Sequence, residues 1–169
     1  MNEKDPKCKR FLRQYEDFGI CVNIGERGYV IAEHPNERFT THYYGLYGSG
    51  IFGRVFDKED PIILDSSKNE LVDVQDYIHD KVLFEATDDF HLIGFNTIDK
   101  QTKWDGKVIT KVNDNILKVE QETIIINFNK PLEINGKNFK KYDYSMLHSE
   151  KEYTIVSTEE IAFGLFCKI

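Results

Sequence analysis

From Gly19 onward the chain is a succession of short runs rich in Val, Ile, Phe, Tyr and Thr, each closed by Gly, Pro, Asn or Asp. Turn signals recurring about every 8–12 residues are the pattern of an all-β sandwich or barrel. Strands are expected near 19–24, 28–34, 39–47, 51–56, 61–65, 71–75, 81–86 and 89–98, and then near 107–112, 115–120, 123–128, 132–134, 138–142, 151–156 and 160–168. Asn135-Gly136 is the sharpest turn signal, because both residues accept the positive φ of a two-residue type I′ hairpin. The polar stretch from Asp99 to Gly106, around the single Trp104, is the expected connector between two halves. One helix is expected, within residues 1–18. Asp5 is its N-cap, Pro6 its first helical position, and Phe11, Leu12, Tyr15 and Phe18 fall on one helical face. The domain reading is therefore an N-terminal helix (1–18), a first β unit (19–98) and a second, smaller one (107–169).

At 169 residues, the chain is one domain or two small ones, and with 40% hydrophobic and 30% charged residues it can build a core. No apolar run approaches the roughly 20 residues that cross a bilayer, and the first ten residues lack a signal-like apolar stretch. A soluble, cytoplasmic protein is expected. The net charge of −7 disfavours a nucleic-acid partner, which requires concentrated Lys and Arg. Cys8, Cys21 and Cys167 are an odd count without CxxC spacing and read as free thiols.

An internal repeat is also expected. Pro61-Ile62-Ile63-Leu64, Lys68-Asn69, His79 and Gly94-Phe95 recur about 70 residues later as Pro131-Leu132-Glu133-Ile134, Lys137-Asn138, His148 and Gly164-Leu165.

The run from Phe39 to Gly45 (FTTHYYG), the turn Gly48-Ser49-Gly50, and the run from Val82 to Phe95 (VLFEATDDFHLIGF) resemble the two motifs of the cupin superfamily. The likeness spans about Tyr29 to Ile98. It implies a jelly-roll barrel of antiparallel strands, with a fainter second copy that makes the whole bicupin-like. The family's metal ligands are only partly matched. His42 stands at the first His, Tyr44 takes the place of the second, no Glu follows at the expected distance, and the later His position falls near Val82. A catalytic first-row metal wants at least three protein ligands, so neither a metal nor another cofactor is expected.

Strand alternation sends His42, Tyr44 and Leu46 one way and Tyr43, Gly45 and Tyr47 the other. Tyr rings suit stacking on a base or a sugar, although Tyr equally fills β cores. His91 shares a face with Ile93 and Phe95; it points into the lumen if that face is interior and is otherwise a half-exposed polar residue. Arg54 shares a face with Phe52 and Phe56, either awaiting an anion inside or solvated outside. The acidic pairs Asp88-Asp89 and Glu159-Glu160 read as turn residues. His42, Tyr44, Tyr47, Arg54 and His91 form the expected ligand site, on three neighbouring strands, with no catalytic residue assigned. The expected function is a non-enzymatic, cupin-like, small-ligand-binding homo-oligomer whose ligand is a nucleotide or sugar. Proteins similar to cupins but lacking metal ligands occur among accessory genes of bacteria and tailed phages, and the Asn-, Lys- and Ile-rich composition suits an AT-rich genome of that kind. A metal-free sugar isomerase or epimerase with a His base, or a structural assembly subunit, are the alternatives.

Overall fold

The computed structural model of the protein describes residues 5–31, 39–54, 61–74, 82–97 and 101–169. The chain divides into two compact units, residues 1–102 and 103–169. The first contains β1 (Cys8–Gln14), β2 (Phe18–Gly25), β3 (Val30–Ile31), β4 (Phe39–Tyr47), β5 (Ser49–Arg54), β6 (Ile62–Asp65), β7 (Leu71–Asp73), β8 (Val82–Ala86) and β9 (Phe90–Thr97). The second contains β10 (Trp104–Ile109), β11 (Ile116–Val119), β12 (Thr123–Asn127), β13 (Leu132–Ile134), β14 (Lys137–Phe139), β15 (Tyr144–Leu147), β16 (Lys151–Val156) and β17 (Phe163–Lys168). Among the described residues the only helical elements are short 3-10 turns, and no helix is long and apolar enough to cross a membrane.

Unit 1 has two antiparallel sheets, ordered β1-β2-β9-β4-β7 and β3-β8-β5-β6. Phe90 and Leu92 of the first meet Phe52, Leu64, Phe84 and Ala86 of the second in one core. The Phe84 ring lies 4.8 Å from Phe52 and 5.2 Å from Phe90. Burying each such ring contributes on the order of 2 kcal/mol. Unit 2 repeats the plan, with sheets β10-β17-β12-β15 and β11-β16-β13-β14. Its core joins Ile125, Leu147, Phe163 and Leu165 to Leu117, Val119, Leu132, Ile134 and Ile155. With β1 set aside, the strands of both units occupy the same sheet positions in the same chain order.

The residue register of the sequence repeat differs from this correspondence. Pro61 precedes β6 whereas Pro131 precedes β13, and β13 takes the position of β5, bonded to the next strand in the chain and to the penultimate one. Gly94 lies on the core face of β9 with Phe90 and Leu92, while Gly164 lies opposite Phe163 and Leu165, where an added Cβ would sit 2.5 Å from Phe128 and Phe166. In a strand, a shift by one residue exchanges faces, so the two glycines do not correspond.

The N-terminal helix is corrected to a strand. Residues Cys8–Gln14 pair antiparallel with Gly19–Gly25 along seven positions. The Tyr15 N–H donates to the Phe18 carbonyl at 2.8 Å, closing a hairpin, and the two rings meet at 4.8 Å. The spacing read as a helical stripe thus belongs to the two arms of a hairpin. A helix this short is marginal in isolation, and pairing with β2 satisfies the backbone instead. The strand expected over 138–142 is also corrected, to β14 and β15 flanking a turn. Asp143 Oδ2 accepts from the Lys140 N–H at 2.8 Å there, and Tyr142 takes a φ of 69°.

Asn135 (φ 47°) and Gly136 (φ 79°) form the two-residue connection between β13 and β14. A Cβ at Gly136 meets nothing within 4 Å, whereas one at Gly48 (φ 80°) would sit 2.0 Å from the Asp89 carbonyl oxygen. Gly136→Ala should therefore cost only backbone strain, about 1–2 kcal/mol, and Gly48→Ala substantially more, because a backbone atom cannot give way. Urea unfolding midpoints of the two variants check the order.

Candidate functional site

Register places His42 beside Phe95, Tyr44 beside Ile93 and Tyr47 beside His91 on the five-stranded sheet. These side chains share a face, and it is the face opposite Tyr43, Phe90 and Leu92, which pack in or against the core of unit 1. Of the two orientations left open by alternation, the face carrying His42, Tyr44 and His91 is not the one that packs between the sheets of unit 1. β9 buries Phe90 and Leu92 there, and alternation then turns His91 away. His42, Tyr44 and His91 are 2%, 4% and 7% exposed and Tyr47 47%. The His42 Nε2 atom is 3.9 Å from Asp73 Oδ2 on the neighbouring strand, and the Tyr47 ring stands edge-on to His91 at 5.7 Å.

Tyr44 is held by a local device. Ser67 donates from its N–H (3.0 Å) and its hydroxyl (2.6 Å) to Asp65 Oδ1, capping the 3-10 turn Ser66–Lys68 and holding the Asp65 carboxyl below its ordinary pKa. The turn ends on Asn69 with φ 56°, and Asn69 Oδ1 accepts the Tyr44 hydroxyl. Burial pushes the Tyr44 pKa up.

Arg54 does not join this group. It ends β5 in the other sheet of the unit, across from Val82, so the site residues do not come from three neighbouring strands. Its side chain, His34 and His79 lie outside the described residues. The acidic pairs act in turns. Asp88 Oδ2 accepts from Ser49 Oγ at 2.6 Å, Asp89 Oδ1 accepts from the Arg27 N–H at 2.9 Å, and Glu159 pairs with Lys130 at 3.2 Å.

Two groups of residues were not singled out from the sequence. On the core face of unit 1, register places Arg10, Cys21 and Asn23 with Leu92. Alternation in Gly19–Gly25 separates Cys21 and Asn23 from Ile20, Val22 and Ile24, so that much was legible, but Arg10 was hidden by the helical reading. In unit 2 a cavity of about 550 Å³ opens at the end of the core, lined by Asp105, Lys107, Glu120, Thr123 and Cys167 with Val119 and Leu165 behind them. Cross-strand pairing of Asp105 with Cys167 and of Lys107 with the core residue Leu165 puts these side chains on the core face. No motif marks them, because they come together only through pairing of the first and last strands of the unit. Cys8, Cys21 and Cys167 are free thiols.

The metal that the cupin resemblance brings to mind finds no fitting donor set among the described residues. His42 and His91 face away from the core of unit 1, and no three His, Cys, Asp or Glu side chains are grouped as ligands.

No protein-family model and no curated protein matches the chain. Solved structures do. A cupin 2 conserved barrel domain protein from Leptotrichia buccalis superposes with a TM-score of 0.54 at 14% identity, over 100% of this chain and 91% of its own. AerE from Microcystis aeruginosa gives 0.63 at 10% identity, over 100% and 95%. A variant of the Bacillus subtilis oxalate decarboxylase OxdC gives 0.58 at 8% identity, over 99% and 74%. The chain has a cupin-type fold. The likeness is one of fold, at identities of 8–14%.

Because burial holds the Tyr44 proton, the unfolded chain loses its proton first, and stability falls as pH rises above about 10. Tyr44→Phe should flatten that alkaline limb and, through the lost hydrogen bond to Asn69, lower stability at neutral pH by about 1 kcal/mol. Thermal unfolding followed from neutral to alkaline pH checks both.

Proposed function

We propose that the protein is a non-enzymatic, cupin-type small-ligand-binding protein that holds a sugar or nucleotide in the inter-sheet cavity of unit 2. The cavity carries this reading. Its volume of about 550 Å³ is that of a small-molecule site, and its lining is mostly polar, with Val119 and Leu165 as the apolar part. Asp105, Glu120 and Gln121 accept hydrogen bonds from hydroxyl groups, Thr123 donates and accepts, and Lys107 meets an anionic substituent. Among the described residues no aromatic ring lines it, which favours a sugar phosphate over a stacked base, and no histidine does, which favours binding over general-base isomerisation. The burial of His42, Tyr44 and His91 supports a structural role for them.

The equal strand order of the units supports a duplicated jelly-roll, bicupin-like arrangement, and the partly exposed Phe11 and Leu12 on the edge strand β1 support a homo-oligomer.

Titration with glucose 6-phosphate, with adenosine monophosphate as the contrasting arm, tests the reading by thermal shift and calorimetry. Saturable stabilisation by the sugar phosphate is expected, weakened about tenfold or more in Lys107→Ala by loss of a charge-assisted bond. Absence of saturable binding by either compound, or unchanged affinity in Lys107→Ala, overturns it.

A further inference from the structure

A second polar group lies inside the other unit, independent of that cavity. One cross-strand row on the core face of the five-stranded sheet runs Leu12, Cys21, Gly94, Tyr43, Val72. The adjacent row sets Arg10 beside Asn23 and Asn23 beside Leu92.

Asn23 is 2% exposed. Its Nδ2 donates to Cys21 Sγ at 3.1 Å, but its Oδ1 is buried with no hydrogen-bond partner. An unpaired buried carbonyl is costly, so an asparagine held in this way calls for a donor from elsewhere. Arg10 supplies the complementary half. Burial draws its pKa down, yet the neighbouring Cys21, Tyr43 and Cys8 raise it above the ordinary value, and among the described residues no carboxylate pairs with it. The Cys8 thiol is raised by its own burial and stays protonated, so it does not neutralise the guanidinium. A buried acceptor lacking a donor thus sits beside a guanidinium that is hydrogen-bonded to Cys21 and that no carboxylate among the described residues engages. A guanidinium grips a carboxylate through two parallel N–H bonds, and a hydroxyl or amine next to that carboxylate can donate to Asn23 Oδ1.

We propose that Arg10, Cys21, Asn23 and Tyr43 form a binding site in unit 1 for a small carboxylate bearing an O–H or N–H donor on the adjacent carbon. Arg10, exposed on the edge strand, receives the carboxylate, and Asn23 receives the donor. The Cys21 sulfur orients the Asn23 amide so that its oxygen faces the ligand.

Lactate and propionate, which differ by that hydroxyl, are the probes, measured by calorimetry and protein-observed NMR on the full chain. Lactate should bind at least tenfold more tightly than propionate. Asn23→Leu, nearly the same shape, should reduce lactate to the propionate level while raising Tm, since it removes the unpaired carbonyl. Arg10→Gln, at an exposed position that does not threaten folding, should weaken both acids at least tenfold, and Lys107→Ala in unit 2 should change neither. Equal binding of the two acids, no binding of lactate at tens of millimolar, an Asn23→Leu variant that loses Tm and keeps lactate affinity, or loss of lactate binding in Lys107→Ala would each overturn the assignment. The Lys107 arm separates this outcome from failure of the sugar-phosphate reading.

Discussion

β9 governs unit 1. It is bonded to β2 along one edge and to β4 along the other, and all eight of its residues are buried. A slip of one residue would push His91 and Thr97 into the Phe90-Leu92 core and carry those two apolar groups to the opposite face. The register is therefore firmly set, and it carries its neighbours with it. Ile20, Val22 and Ile24 go with His91, Ile93 and Phe95, while Cys21 and Asn23 go with Leu92 and Gly94. Its polar residues His91, Asn96 and Thr97 each make an interaction, as burial requires.

Two buried asparagines show how differently one residue type can be used. Asn127, in unit 2, is saturated: its Nδ2 donates to the Lys130 and Phe139 carbonyls at 2.9 and 3.3 Å, and its Oδ1 accepts from the Asn129 N–H at 3.3 Å. It ties the turn after β12 to β14 and is a structural latch. Asn23 is just as buried but keeps one polar atom unmet. A fully satisfied network rigidifies, and a partly satisfied one is either a defect or a place for something else. The Arg10 guanidinium on the next strand, engaged by no carboxylate among the described residues, is the reason to read Asn23 as the latter.

Much of the strand inventory was legible because turn chemistry is local. Asn135-Gly136 and Gly48 bound their strands through φ angles set at the turn itself, whereas the Asp88-Asp89 turn is held by Ser49 and Arg27 from distant parts of the chain. The edge strand β1 was misread because Phe11, Leu12, Tyr15 and Phe18 satisfy a helical spacing as well as the arms of a hairpin, and nothing within the segment prefers one over the other. The metal-ligand positions of the cupin motif are only partly matched in the sequence. The face they occupy was not legible, since alternation separates residues into two sets without saying which set is inside.

The sequence by itself determined that the protein is all-β from Gly19 onward, where most strands begin and end, that its cysteines are unpaired, and which residues share a strand face. Those properties follow from backbone preference and the period of two. Tertiary structure alone decided that Tyr43 rather than His42 and Tyr44 turns toward the core of unit 1, that Arg10 joins Cys21 and Asn23, and that Lys107 meets Thr123 and Cys167 in one cavity. Each depends on pairing between strands distant in the chain, where burial of the largest apolar area, not local propensity, chooses the register and the inward face.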